Sequence, residues 1–293
     1  MSKHIEKYLD ELKEALSSLD KSTIQDALAD AEDHLTTALQ VEAAERPEMS
    51  TAVLIAEIIE KYGTPEDILE QYSDIEEITT PIFAASEKSP GRGFRAFCSV
   101  VTEPRAWAAC LYMLLSLVTG IAYFTLATTG LSVSLSLLPL IIGIPVTMLF
   151  LLSVRAIGFV EGRMVEALLG VRMPRRAISP GEGLGWWSRF KIILSARSTW
   201  TTIIYMLLMM PLGVVYFTLT VTLFSLVLSL IGAPVIQYIL NEPILYMNQG
   251  VWIPFYVMPV VVALGAMLVV LSLHLAKQMG KIHGRFAKAM LVS

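Results

Sequence analysis

The residues that could do chemistry are few and scattered. Four histidines, His4, His34, His274 and His283, show no shared ligand spacing. Asp26, Asp30 and His34 fall at i, i+4 and i+8, one face of a helix. That spacing could hold a metal ion, but a solvated acidic face is the stronger reading, and no metal site is expected. Gly181-Glu-Gly-Leu-Gly185 looks like a phosphate loop, yet it lacks the Lys-Ser/Thr and the preceding strand that such loops need, so it reads as a linker. Cys98 and Cys110 sit at or within an inner membrane boundary and read as free thiols. No nucleophile stands beside a base. No catalytic residue and no cofactor is expected, and the chain is not expected to be an enzyme.

Three groups remain as candidate sites. Tyr112, Ser116, Gly120 and Tyr123 fall on one helical stripe, and Tyr205, Met209, Gly213 and Tyr216 repeat it. Small residues and hydroxyls on such a stripe suit a helix–helix seam, which outweighs a ligand groove. Tyr238, Glu242, Tyr246, Trp252 and Tyr256, with Asn241, Asn248 and Gln249, form a polar and aromatic group. An outside signal, lipid or small amphiphile could be read there, against the blander role of a structural cap. Arg172, Arg175 and Arg176 form a basic patch that could dock an acidic partner. Arg155 and His274 lie at matching ends of apolar runs, each near further polar residues, and read as snorkelling side chains.

These groups need elements to position them, and composition says what those are. The chain is 55% hydrophobic and 16% charged, against about 25% charged in soluble domains. Residues 1–80 hold six Lys/Arg against twenty Asp/Glu, a balance of −14; the rest carries +10. An acidic head therefore precedes a basic, apolar body. Ala106 to Val154 contains no charged residue, and Thr199 to Leu273 contains only Glu242. A crossing needs about 20 apolar residues, so the first block holds two spans, with a break expected near Thr128-Thr129-Gly130. The second could hold two or three. Basic residues precede, separate and follow the blocks, and positive segments stay cytoplasmic. Each block then crosses an even number of times, which favours four spans and makes Leu223–Leu240 an extension of the third.

The phrase YMLLSLVTGIAYF at Tyr112 returns as YMLLMMPLGVVYF at Tyr205, an offset of 93, and Trp107 matches Trp200. Met148–Arg155 resembles Met267–His274 at an offset of 119, which leaves about 26 extra residues in the second copy. Two parallel hairpin repeats packed side by side are expected. The expected fold is all-α. An acidic cytoplasmic helical domain (1–78) and a linker (79–104) lead to the first transmembrane hairpin (105–160). A basic, amphipathic loop (161–198) connects it to the second hairpin (199–276), which carries an outer insertion (232–258). A basic tail (277–293) follows. In the head, Ile5, Leu9, Leu12, Leu16 and Leu19 make an apolar stripe. Ser22 with Gln25 suggests a capping box, Gly63 suits a helix end, and Thr64-Pro65-Glu66-Asp67 suits a restart.

The head phrases YLDELKEAL, AEDHLTTAL and above all YGTPEDILEQY (Tyr62 to Tyr72) resemble the HAAS signalling domain over about residues 3–75. Trp107 with YMLLSLVTGIAYF, RAIGFVEGRMVEALLGVRMP (Arg155 to Pro174) and Trp200 with YMLLMMPLGVVYFTLTVTL resemble the "putative sensor" domain joined to bacterial histidine kinases, over about 103–290. The resemblance implies a bacterial inner-membrane sensor or adaptor with both termini cytoplasmic. Its partner would be a cytoplasmic regulator of the PadR type. No kinase module follows within these residues, so output is expected to pass through that partner. The lipid bilayer is the other implied partner; a homo-oligomer is compatible, and direct nucleic-acid binding is not expected. A transporter or channel built on the duplicated hairpin is the alternative. The topology predicts that cysteine placed at Lys281 or Arg172 stays closed to impermeant thiol reagents added outside intact cells, and labelling there would overturn it.

Overall fold

The computed structural model describes residues 3–78, 97–140, 142–175, 186–243, 245–247 and 249–292. Helices α1 (Lys3–Ala15), α2 (Lys21–Glu45), α3 (Thr51–Tyr62) and α4 (Pro65–Ile78) form the head. Their apolar faces meet in one cluster of Ile5, Tyr8, Leu12, Leu16, Ala27, Leu35, Ile55 and Ile68. Helix α3 stops at Gly63, whose φ of 117° a side chain would strain. The chain restarts where Thr64 Oγ1 accepts from Asp67 N at 3.3 Å and Asp67 Oδ2 accepts from Thr64 N at 3.0 Å, a reciprocal cap. The Thr64 hydroxyl, donating to Asp67 Oδ2 at 2.8 Å, and then the Thr64 N–H hold the Asp67 carboxyl below its usual range. Helix α2 is capped differently from the expected box. Asp20 is its N-cap and accepts from Ser22 N, while Ser22 itself is buried. An aspartate one residue ahead of the helix offers a stronger acceptor than a serine inside it.

The body contains four helices long and apolar enough to cross a membrane, at 104–137, 143–169, 197–239 and 255–291. Their helical cores are α5 (Pro104–Leu137), α6 (Gly143–Leu169), α8 (Arg197–Pro234) and α9 (Met258–Leu291). We call them the first to fourth spans. Leu223–Leu240 extends the third span and makes no separate crossing; past Pro234 it continues as a π-helical turn, Val235–Ile239. Strands β1 (Leu245–Met247) and β2 (Gln249–Val251) then pair antiparallel, Leu245 opposite Val251. Helix α7 (Trp186–Ser195) lies before the third span, with Trp186 and Trp187 exposed and Phe190 and Ile193 buried. That two-sidedness suits a helix lying in the membrane interface.

Two expected boundaries move. The first span does not break at Thr128-Thr129-Gly130. The Thr128 hydroxyl bonds back to the Phe124 carbonyl at 2.8 Å and Gly130 lies under the Phe150 ring, so the helix runs on to Leu137. The basic tail is not separate either. Residues 277–291 continue the fourth span, with Gly280, His283, Gly284 and Ala287 buried inside the bundle.

The first and third spans form the centre of the bundle. A Cβ at Gly120 would stand 2.6 Å from the Met209 carbonyl oxygen, and one at Gly213 would strike the Ser116 carbonyl. Since Ser116 and Met209 are also 93 apart, the two glycines make the same contact in exchanged roles. The tryptophans behave alike. Trp107 Nε1 donates to Val101 O at 2.8 Å and Trp200 Nε1 to Leu194 O at 2.9 Å, each six residues back. At the head-side end, Lys277 Nζ reaches both oxygens of Glu103 at 2.7 and 2.8 Å, tying the fourth span to the start of the first. Overfilling a closely packed contact costs about 1–3 kcal/mol, so Gly120→Ala is expected to lower the melting temperature in detergent. Gly232→Ala, which meets nothing within 4 Å, should leave it unchanged.

Candidate functional site

The stripe tyrosines converge on two ionisable residues from the other two spans. Tyr112 and Tyr123 come from the first span, Tyr205 and Tyr216 from the third, Glu161 from the second and His283 from the fourth. All six are buried, with Glu161 and Tyr112 at 0% exposure and His283 and Tyr205 at 1%. Glu161 Oε1 accepts from Tyr112 OH at 2.6 Å and Tyr205 OH at 2.8 Å; Oε2 accepts from Tyr123 OH at 2.9 Å. His283 Nε2 lies 2.6 Å from Tyr112 OH and 3.1 Å from Tyr205 OH, and Nδ1 lies 3.3 Å from Tyr216 OH.

With Glu161 written as the carboxylate, a proton count gives one consistent set of bond directions. Three phenol hydrogens point at the carboxylate, which as an ion only accepts. Tyr112 and Tyr205 have thereby used their protons, so His283 Nε2 must carry hydrogen and share it between their two oxygens. Nδ1 is then free to accept from Tyr216. Every donor finds an acceptor, as a buried polar cluster requires. Without those three donors, a carboxylate in hydrocarbon would be prohibitively costly. The network also lies among the four helices long and apolar enough to cross a membrane. Tyr112 is five residues past Trp107, about 7–8 Å deeper along the helix than that interfacial ring.

Helix spacing explains how side chains from two levels reach one point. Tyr112 and Tyr123 are three turns apart on one face, so their rings close on Glu161 from opposite ends. Tyr205 and Tyr216 close on His283 similarly, with ring centroids at 6.1 and 5.4 Å. The glycine contacts described above bring the two central helices near enough for Tyr112 and Tyr205 to share both partners.

Glu161 and His283 were not singled out from the sequence. The four histidines show no shared ligand spacing in the sequence. A signal was present. Gly158-Phe-Val-Glu161-Gly162 and Gly280-Lys-Ile-His283-Gly284 share a Gly-x-x-x-Gly frame at an offset of 122. The burial pattern follows that offset. Gly143, Leu151, Val154, Glu161, Gly162 and Val165 are buried, and so are Gly265, Leu273, Ala276, His283, Gly284 and Ala287. This replaces the offset of 119. Arg155 then corresponds to Lys277, while His274 instead stacks on Phe97 at 4.8 Å and bonds its carbonyl at 3.0 Å.

The head sits on the same end of the bundle. Lys288 Nζ, five residues past His283, lies 2.6 Å from both oxygens of Asp20. Arg175 N donates to Asp26 Oδ1 at 2.6 Å, and the Ser22 hydroxyl to Arg172 O at 3.5 Å. The basic patch thus meets the head through backbone, with Lys288 supplying the ion pair. The Arg175 guanidinium turns to Glu166 at 3.7 Å, and Arg172 Nε and Nη1 are buried with no hydrogen-bond partner. Arg176 lies outside the described residues. Burial pushes the Asp20 carboxyl up, but bonds from Lys288 and Ser22 and the Lys288 charge outweigh it and hold it below its usual range.

The members of the outer polar group whose side chains are described are exposed. Tyr238, Trp252 and Tyr256 are 47%, 50% and 80% exposed, Glu242 is exposed, and the Tyr246 side chain lies outside the described residues. Gln237 organises this end. Its side chain donates to Ile253 O at 2.6 Å and accepts from Ile253 N at 2.8 Å, pinning the outer cap to the third span.

A helical head seated on a bundle of four helices long and apolar enough to cross a membrane, with a buried polar network between them, defines the class as a membrane protein with an added helical domain. The chain belongs to the family described as "Putative sensor", whose model matches residues 112–291 and so takes in all six network residues. The HAAS model matches residues 7–71, the head. Together these support a signalling or sensor role, and HAAS domains are associated with partner-protein interaction. No curated protein and no solved structure matches the chain. Removing one phenol donor from a buried carboxylate costs about 1–3 kcal/mol, so Tyr112→Phe should lower thermal stability in detergent, whereas Tyr238→Phe, at the exposed outer end, should not.

Proposed function

We propose that this chain is a bacterial inner-membrane sensor or adaptor that passes a change in the bundle to its head, and through the head to a cytoplasmic partner such as a PadR-type regulator. One observation carries the reading: both helices that hold the network's ionisable residues run on to the head. The second span carries Glu161 and leads into Arg172 and Arg175, which touch Ser22 and Asp26. The fourth carries His283 and then Lys288, which holds Asp20. A shift of either helix at the network is therefore delivered to the head's seat, which begins five residues beyond His283 and eleven beyond Glu161.

In this reading both termini face the cytosol, because the basic residues cluster at that end. The reciprocal contacts at an offset of 93 and the shared burial at 122 support an internal duplication, with two hairpins related by an axis along the membrane normal. The chain catalyses no reaction; it presents or withholds a surface. The docked head is the resting state, since its N-terminal helical face is occupied by the bundle. Proton-coupled transport is the second reading, favoured by the buried Glu161 and His283. Flux assays in liposomes separate the two.

The ion pair at the seat supplies the test. Asp20→Lys should release the head, seen as faster proteolysis of residues 1–78 and stronger capture of the partner regulator by full-length protein in nanodiscs. Asp20→Lys combined with Lys288→Asp should restore docking. Unchanged proteolysis in the single variant would remove the proposal. The seat is also expected to persist at mildly acidic pH. A depressed Asp20 pKa means its contribution is fully present above the ordinary carboxylate range and fades only as pH falls through the lower, docked-state value.

A further inference from the structure

We propose that the Glu161–tyrosine–His283 network is a proton-binding site, with His283 Nδ1 as the seat of an added proton, and that a proton is the signal the bundle reads. The second half rests on the relay reading above. The first half rests on geometry alone.

The network has no room for another ligand. Its six side chains are at most 8% exposed, and their polar atoms lie 2.6–3.3 Å apart. Among the described residues no three His, Cys, Asp or Glu come together as metal ligands would. Glu161 and His283 do not converge on a common point either; phenols stand between them. A proton is the species that fits.

The charge count says why it would bind. With imidazole neutral, the network carries one negative charge inside the membrane, and among the described residues no Lys or Arg forms an ion pair with Glu161. The groups facing His283 are Tyr112 from the first span, Glu161 from the second through the phenols, and Tyr205 and Tyr216 from the third. None of them is a cation. A proton on the imidazole makes an ion pair with Glu161, bridged by Tyr112 and Tyr205, with a net charge of zero. Neutralising a buried charge in low dielectric is favourable.

The proton inventory says where it would bind. The five hydrogens already present occupy Nε2 and all four phenols. A sixth on Glu161 would displace one of the three phenol donations. On Nδ1 it disturbs only the Tyr216 bond, the longest of the set at 3.3 Å. Nδ1 changes from acceptor to donor, the Tyr216 hydroxyl turns its hydrogen away, and its oxygen accepts instead. No covalent bond other than N–H forms, and the proton comes from solvent. His is also the side chain whose ordinary titration falls at physiological pH. Because Asp20 is held ionised by Lys288, the head's seat does not itself titrate in that window.

The test uses full-length protein with nitrogen-15 histidine in nanodiscs, followed by solid-state NMR from pH 8 to pH 5. One Nδ1 resonance, identified by its loss in His283→Gln, should pass from unprotonated to protonated. Tyr216→Phe removes the acceptor for the charged ring's Nδ1–H as well as the donor to the neutral ring, and the charge-assisted bond is the stronger, so the transition should move down by about 0.5–1 pH unit. Glu161→Gln removes the neutralising partner, so it should move down by about a unit or more. These shifts distinguish a network site from an isolated ring. An Nδ1 that stays unprotonated at pH 5, or a transition indifferent to Glu161→Gln, overturns the proposal.

Spin labels on Glu14→Cys and Gln278→Cys, with Cys98 and Cys110 replaced by serine, read the head-to-bundle distance over the same pH range. A distance change with the NMR midpoint supports the signal assignment. A titrating His283 under an unmoved head overturns that assignment. A head that moves with bilayer composition but not with pH overturns it as well, yet leaves the relay reading standing. A head that moves with neither, and stays docked in Asp20→Lys, sinks the relay reading itself.

Discussion

A carboxylate placed within hydrocarbon must be given hydrogen-bond donors or it will not stay charged. Glu161 is that carboxylate, and much of the bundle follows from supplying it. Three donors must come from at least two helices, since one helix face offers few hydroxyls at one depth. The first span sends Tyr112 and Tyr123; the third sends Tyr205 and Tyr216. For Tyr112 and Tyr205 to share one oxygen, their helices must nearly touch. Gly120 and Gly213 allow that approach, each lying against the other helix's backbone. The glycine seam and the polar network are thus one device, with packing and electrostatics each requiring the other.

The same device links the interior to the head. Glu161 and His283 sit on the outer pair of helices, one on each side of the central seam, and each helix continues to a contact with α2. Membrane helices gain little from hydrophobic association with one another, because lipid tails are as apolar as leucine. Specific polar contacts then carry more of the register than they would in water. The helices that carry Glu161 and His283 lead on to the 170–175 segment and Lys288, where an ion pair and two bonds to backbone atoms hold the head.

Much of this was legible in the residues. The acidic head, the basic boundaries, the four spans and the stripe of tyrosines and glycines follow from charge and period. So does the helix restart at Thr64–Asp67. The misreadings share a cause. Asp20 displaced Ser22 as the cap, and Thr128 and Gly130 stayed helical. Residues 277–291 continued a span despite four basic residues, because Lys277, Lys281, Arg285 and Lys288 fall at i, i+4, i+8 and i+11 on one stripe, leaving Gly280, His283, Gly284 and Ala287 on the buried face. In each instance a local rule was overridden by a neighbour distant in sequence: Lys288 on Asp20, Phe150 over Gly130, Tyr112 against His283. The Gly-x-x-x-Gly frames around Glu161 and His283 were visible, three residues away from the offset of 119 that pairs Arg155 with His274.

By itself the amino-acid sequence determined which segments enter the bilayer and which helical face each presents, because hydrophobicity and a 3.6-residue period are local properties read one element at a time. Only the tertiary structure decided that a glutamate and a histidine 122 residues apart share Tyr112 and Tyr205. Proximity between helices depends on how closely backbones approach, and no single helix contains that distance.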